Sequence, residues 1–407
     1  MKKRGWLYFL IFAFILGYTY TALVYNGIWF KFTDGLKTIH FLLYFVWFFV
    51  AFFLSLTLHE LGHFFAFLFQ GIKLRALYIT VFVFHKTNKG WRFTIKPKLW
   101  VLLGGLVVPD LGEIKSDEDL EKVHKKFANS LVVAPIVTCV FLFIVILTFI
   151  LSLIYSRSDN WIGFISIFTI YTILLSSLYI YSFTLSNPMF YGDFVAYKKM
   201  KEDPVFQLAQ ISQYTMFSLE DSDETNTYLW EKTRDTLKTI PLKNSIFHIM
   251  LLTNYLDGII RSDQEIDLQI DKKIQHLSIS HYMRNEQGLM LAYDLCYYHY
   301  KQKNVAKAYQ LFDEIQRRVS KKLDPKLTTY YKKKSMHIMH IEYQDEFLEQ
   351  IDNYYVGNSW IFESLMDPYE TLKEYHEKLP FIEYSLPVKF EEETWCFQKS
   401  MLYHTKR

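Results

Sequence analysis

Four stretches of the chain are apolar and almost free of charge: Gly5–Phe30, Phe41–Phe69, Phe127–Tyr155 and Trp161–Gly192, the second interrupted only by Glu60. A helix needs about 20 apolar residues to cross the hydrocarbon core of a bilayer, so each run predicts a transmembrane helix. The first follows Lys2, Lys3 and Arg4, as a secretory leader would. It is too long for a leader's apolar region and no small-x-small site closes it, so it reads as a retained anchor. Between the second and third runs the pattern changes. Leu74–Phe84 is β-branched and aromatic, Thr87–Gly90 is a turn signal and Trp91–Ile95 alternates again. That predicts a β-hairpin over about 74–95, lying at the cytoplasmic membrane surface. Gly104-Gly105 and Pro109–Gly112 then break the chain, and Asp117–Lys126 reads as a charged helical connector.

From Tyr197 onward the pattern is that of a soluble α-helical domain. Its clearest part is Asn285–Val319. Leu291, Leu295 and Tyr298 are spaced for one helical face, and Ala306, Tyr309 and Phe312 for a second, as in a tetratricopeptide-like helix pair. Pro368 onward is rich in proline and aromatics and reads as less regular. The expected protein is mainly α and polytopic, with four transmembrane helices. Three regions follow: a tail and first helix (1–36), a membrane core (37–196) and a cytoplasmic helical domain (197–407).

Composition supports a membrane assignment. Hydrophobic residues make up 51% of the 407 and charged residues 21%, with the charges crowded into the second half. Such a chain is too apolar for disorder. A net charge of +3 without a basic-aromatic stripe excludes nucleic acid as a partner. Cys139, Cys296 and Cys396 are too scattered for a disulfide framework or a metal knuckle. Lysines and arginines lie before the first run, between the second and third, and after the fourth. By the positive-inside rule both termini face the cytoplasm of a multi-pass cell-membrane protein.

The chemistry concentrates in the second run, at Leu58-His59-Glu60-Leu61-Gly62-His63. His59 and His63 are one helical turn apart on one face, a spacing that lets both imidazoles bind one Zn²⁺. Glu60 stands beside them, placed to take a proton from a zinc-bound water as general base. Ionisable side chains inside a membrane span are expensive and usually functional. Zinc needs a third protein ligand, from another span at similar depth. His63 lies six residues before Phe69, or about 9 Å along the helix axis. Asp193 is five residues before Lys198, at the corresponding end of the fourth run, where Asn187-Pro188 and Gly192 loosen the backbone. Asp193 is the expected third ligand. A literal Leu256-Asp257-Gly258 also exists, in a polar setting that reads as a helix end with glycine in the cap.

These features resemble the site-2 protease family of intramembrane zinc metalloproteases. That family carries HExxH on the first span of a three-span core and its third ligand on the last, with a β-hairpin region between. His59, Glu60 and His63 match the first motif. Val133-Ala134-Pro135 looks like a degraded form of its Gly-Pro turn. The second motif departs from the family's Leu-Asp-Gly, because here the ending is Tyr191-Gly192-Asp193. The resemblance covers about 41–197. It implies one zinc per chain and hydrolysis of a peptide bond in a membrane-embedded or membrane-associated substrate, with Glu60 as general base. Asn187 is expected to hold the substrate or its oxyanion, and the edge of the 74–95 hairpin to pair with an extended segment. The helical domain would recruit a substrate or regulator. The alternative is a catalytically inactive, membrane-tethered scaffold acting through that domain.

Overall fold

The computed structural model describes residues 24–341 except 103, 188–189, 220–221 and 263, together with scattered positions between 13 and 22 and residue 365. Three of its helices are long and apolar enough to cross a membrane: α2 (Phe41–Phe69), α3 (Asp117–Tyr155) and α4 (Asp159–Phe183). Of the first predicted span, Gly5–Phe30, residues 5–12, 15, 16, 19 and 23 fall outside the described residues. Its end joins a short helix, α1 (Ile28–Thr38). Glycine governs where α1 packs. A Cβ on Gly35 would stand 2.9 Å from the Gly163 amide nitrogen on α4, so the two backbones meet only because both residues are bare. Lys31 of α1 donates to the carbonyls of Leu153 and Ser156, which the end of α3 leaves without helical partners.

Two boundaries differ from the sequence expectation. The charged connector and the third span form one 39-residue helix, α3. Ser116 caps it by accepting from the Asp119 amide, while the Ser116 hydroxyl donates back to the Asp119 carboxylate. That reciprocal cap starts the helix ten residues before the apolar run begins. The fourth span ends at Phe183, not Gly192. Ser186–Asn187 (β5) and Phe190–Tyr191 (β6) then form a small antiparallel pair, and a new helix, α5 (Asp193–Glu202), begins at the predicted ligand.

The hairpin is half of a larger sheet. Strands β1 (Lys73–Ile79), β2 (Phe82–Thr87), β3 (Gly90–Ile95) and β4 (Gly105–Asp110) are antiparallel in the order β3-β2-β1-β4. The apolar run Leu74–Phe84 is therefore two strands and not one. They turn at Thr80-Val81, where Thr80 adopts φ 49° and its amide donates to the Gly104 carbonyl. No glycine or asparagine marks that turn, so it could not be read from composition. The predicted chain break at 104–112 is strand β4, with Pro109 tolerated opposite Leu74 beside a register shift.

The sheet runs alongside α2. Phe82 and Trp100 stack near Phe53, which is six residues, or about 9 Å, before His59 on the helix axis. Phe84, Phe93 and Ile95 are exposed on the same face, continuous with the exposed aromatics of α2. The hairpin thus packs against the side of α2. The opposite face closes a small core of Ala76, Tyr78, Val83, Leu99 and Val108 with Phe217 and Leu365. Arg75 donates to the carbonyls of Phe217 and Leu365 and ties both to β1.

The chain divides into two units. The first holds residues up to Leu252 plus Asn358–Asp367. After α5 it contains α6 (Pro204–Thr215) and α7 (Asp223–Thr239). The second unit starts at Thr253, within α8 (Ile246–Ser262), and includes α9 (Leu268–Gln275), α10 (Glu286–Lys301), α11 (Val305–Arg318) and α12 (Pro325–Ile338). The predicted helix pair is α10 and α11. Leu291, Leu295 and Tyr298 are buried as expected. On α11 the buried face is Ala308, Leu311, Phe312 and Ile315, so Ala306 points to solvent and the expected stripe is rotated. Residues from Pro368 on lie outside the described residues.

Candidate metal centre

His59, Glu60 and His63 sit about two turns from the end of α2. A Cβ on Gly62 would lie 2.7 Å from the Ala134 α-carbon, so the bare glycine lets α3 approach α2 at its closest point. Val133-Ala134-Pro135 is therefore the interior of α3 and not a turn. This crossing fixes what each histidine meets. Ser130 and Thr138 stand one turn to either side of Ala134. His63 Nδ1 lies 2.9 Å from the Ser130 carbonyl oxygen, and His59 Nδ1 lies 3.0 Å from Thr138 Oγ1. The Ser130 carbonyl can only accept. The Thr138 hydroxyl already donates to the Ala134 carbonyl, so it too accepts. Both imidazoles then carry their proton on Nδ1 and turn a bare Nε2 lone pair inward. Phe183, at the end of α4, stacks on the His59 ring at 4.8 Å and 9°.

Asp193 completes the group. Its Oδ2 lies 3.2 Å from His59 Nε2 and 3.6 Å from His63 Nε2. The order Gly-Asp has a steric reason. Gly192 donates to the Leu185 carbonyl, and a Cβ on it would fall 2.6 Å from the Phe183 carbonyl carbon. Only glycine can nest against the end of α4, and the next residue starts α5 facing the histidines. Asp193 Oδ2 is buried without a hydrogen-bond donor among the described residues. Three lone pairs thus converge with no proton between them, which asks for a cation. Tetrahedral zinc with ligands at ~2.0–2.1 Å places them about 3.3 Å apart, close to the two separations of Asp193 Oδ2 from the imidazole nitrogens. His59, His63 and Asp193 could therefore hold one metal ion.

Glu60 is buried, and its carboxyl faces β4. A Cβ on Gly105 would stand 2.6 Å from the Glu60 carboxyl carbon, so β4 reaches the site only because it begins with glycine. The sheet edge beside the site is β4, not an edge of the 74–95 hairpin. Asn187 is exposed on β5, and the structure does not bring it into the ligand group. Asp257 lies inside α8, which continues to Ser262, so it is not a helix end.

Two tyrosines that the sequence did not single out border the centre. Tyr214, at the end of α6, packs on Phe127 with ring centroids 5.2 Å apart. Burial, with the charges of Glu60 and Asp193, pushes its phenol well above the usual tyrosine range. Tyr179, one turn before Phe183 on α4, runs parallel to the His59 ring at 6.4 Å. Neither carries a motif, because only folding brings α4 and α6 to α2.

No curated protein and no solved structure matches the chain. A family model does, over residues 47–354, reaching well beyond the membrane helices into the second unit. Its family, like the site-2 proteases the motifs resemble, consists of membrane-embedded zinc metalloproteases. With that match over most of its length, the chain belongs to peptidase family M50.

Proposed function

We propose that the protein is an intramembrane zinc metalloprotease that hydrolyses a peptide bond of a membrane-embedded or membrane-associated substrate. The observation that carries this reading is the convergence of His59 Nε2, His63 Nε2 and Asp193 Oδ2 beside the buried Glu60. A zinc ion held by these three residues would polarise the scissile carbonyl and acidify the attacking water. Glu60 takes the proton from that water and returns it to the departing amine, so its carboxyl ends as it began. Thr138 and the Ser130 carbonyl hold the two imidazoles in the tautomer that leaves Nε2 free.

A transmembrane substrate hides its carbonyls in its own helix and must unwind to be cut. Strand β4 supplies the surface for that extended state. It is an outer strand of the sheet, and Gly105 keeps it against Glu60. A segment pairing along β4 would run its backbone past the general base. Asn187, on the exposed β5–β6 pair, would meet the substrate at the rim. The exposed aromatics of β2 and β3 would lie in lipid beside α2. Both termini face the cytoplasm, the run before α1 forms a fourth membrane span, and the tetratricopeptide-like helical region recruits substrate or regulator.

The test is the zinc content of detergent-purified protein. About one zinc per chain is expected, and Asp193→Ala should lose both the metal and cleavage. A folded wild type without zinc would sink the protease reading in favour of a scaffold.

A further inference from the structure

Zinc held at this centre would carry part of the charge that develops on the scissile carbonyl oxygen, and a hydrogen-bond donor of the protein would share it. When water adds to the scissile carbonyl, its oxygen forms the new C–O bond and its proton passes to Glu60. The carbonyl π pair moves onto the substrate oxygen, which becomes an oxyanion. Sites of this kind present preorganised hydrogen-bond donors to that charge. Several polar groups around the centre are already engaged. The Thr138 hydroxyl donates to Ala134 and accepts from His59, and both Nδ1–H groups are used on α3. Asn187 is exposed on β5.

Tyr179 remains. Its Oη is shut off from solvent and has no hydrogen-bond partner among the described residues. A buried, unsatisfied hydroxyl costs about 1–3 kcal/mol, and such groups call for a functional explanation. Its position supplies one. Tyr179 and Phe183 are one turn apart on α4, and both rings lie along the face of His59. Phe183 packs closest and locks the imidazole. The Tyr179 ring lies farther out on the same imidazole, inclined by 24°, and its hydroxyl feels the charge of the Glu60 carboxylate. The ring is held on a membrane span, so the hydroxyl is in place beside the centre before substrate arrives.

We propose that Tyr179 is a catalytic residue that donates a hydrogen bond from Oη to the oxyanion of the tetrahedral intermediate. Its proton is not transferred. The bond strengthens as charge develops on the substrate oxygen and relaxes when the C–N bond breaks and the amine leaves with the proton held by Glu60. The orphaned hydroxyl of the free protein is thus a donor waiting for the substrate oxygen. This inference rests on the protease reading above.

The decisive variant is Tyr179→Phe, which keeps the ring and its packing on His59 and removes only the oxygen. Three quantities are compared in detergent-purified full-length protein: zinc per chain, affinity for a fluorescent phosphinic tripeptide, and affinity for a mercaptoacyl peptide of the same sequence. The phosphinate presents a tetrahedral anion to the site. The mercaptoacyl peptide binds through sulfur and offers no oxyanion. Tyr179→Phe should keep about one zinc and bind the mercaptoacyl peptide as wild type does. It should bind the phosphinate on the order of 100-fold more weakly. Unchanged phosphinate affinity in a zinc-loaded variant would overturn the role of Tyr179 alone. Equal weakening of both peptides would also overturn it, since that marks a packing effect. A wild type that binds neither zinc nor phosphinate would instead remove the metal centre and the proposal with it.

Discussion

Helices α2 and α11 solve opposite problems with the same backbone. On α2 the exposed side chains include Phe41, Phe45, Phe49, Phe65 and Phe69, while Ser55, His59 and Glu60 are buried together with Phe52, Leu56 and Phe67. On α11 the buried residues are Ala308, Leu311, Phe312 and Ile315, while Asp313, Arg317 and Arg318 are exposed. The solvent explains the inversion. Water drives apolar side chains inward and gives α11 its cohesion. Lipid is as apolar as phenylalanine and drives nothing inward, so the bundle is held by close packing at small residues and by buried polar contacts. Gly62 against Ala134 and Gly35 against Gly163 supply the first. The contacts of His59 and His63 with α3 supply the second. The arrangement that stabilises a membrane bundle therefore also assembles a buried polar cluster that could hold a metal ion. A water-soluble helix pair tends to fill the same space with leucine.

Three substitutions probe this contrast, from the largest expected effect to the smallest. Glu60→Gln should retain about one zinc and lose cleavage by about 100- to 10,000-fold, as expected on removing a general base. Metal analysis beside a cleavage assay reads both, and substantial residual cleavage would remove Glu60 from that role. Thr138→Val comes next. It preserves shape and would be mild in an ordinary apolar core, but here it deletes the acceptor for His59 Nδ1–H. Zinc affinity should fall by about 10- to 100-fold, measured by competition with a chelator. An unaltered affinity would mean that packing by Phe183 alone orients the ring. Leu291→Ala is the control in the second unit, where Leu291 is fully buried on α10. It should lower the stability of that unit by about 2–5 kcal/mol in denaturant melts, with zinc content unchanged. A loss of zinc would show that the two units are energetically coupled.

Much of the candidate site was legible in the chain. HExxH names its own geometry, because helical spacing places His59 and His63 on one face whatever surrounds them. Asp193 could be chosen from depth and order alone, despite the reversed Gly-Asp, and the structure brings its carboxylate to both histidines. The sheet was half legible. Alternation marked β3 and the Thr87–Gly90 turn. The Thr80-Val81 turn carries no special residue and is fixed by a hydrogen bond from the Thr80 amide to the Gly104 carbonyl, a long-range contact. Strand β4 was hidden by its own glycines and proline, which are breakers in isolation but suit an edge strand and a tight approach to Glu60. On α11 the spacing predicted a buried stripe but not its rotation, since Ala306 and Ala308 are equally small and only the neighbouring helix selects between them.

What the sequence determined by itself was therefore local and periodic: apolar runs long enough to span, two histidines one turn apart, and a polar second half built of helices. Such features depend on neighbours within a few residues and on the solvent. The tertiary structure decided which side chains from distant elements share one site. Gly105 beside Glu60, Thr138 beside His59, and Tyr179 and Phe183 along the same imidazole come from four separate segments. No pattern in one segment encodes them, because each meeting is fixed by how closely two backbones approach, and glycine and alanine set that distance only once both partners are in place.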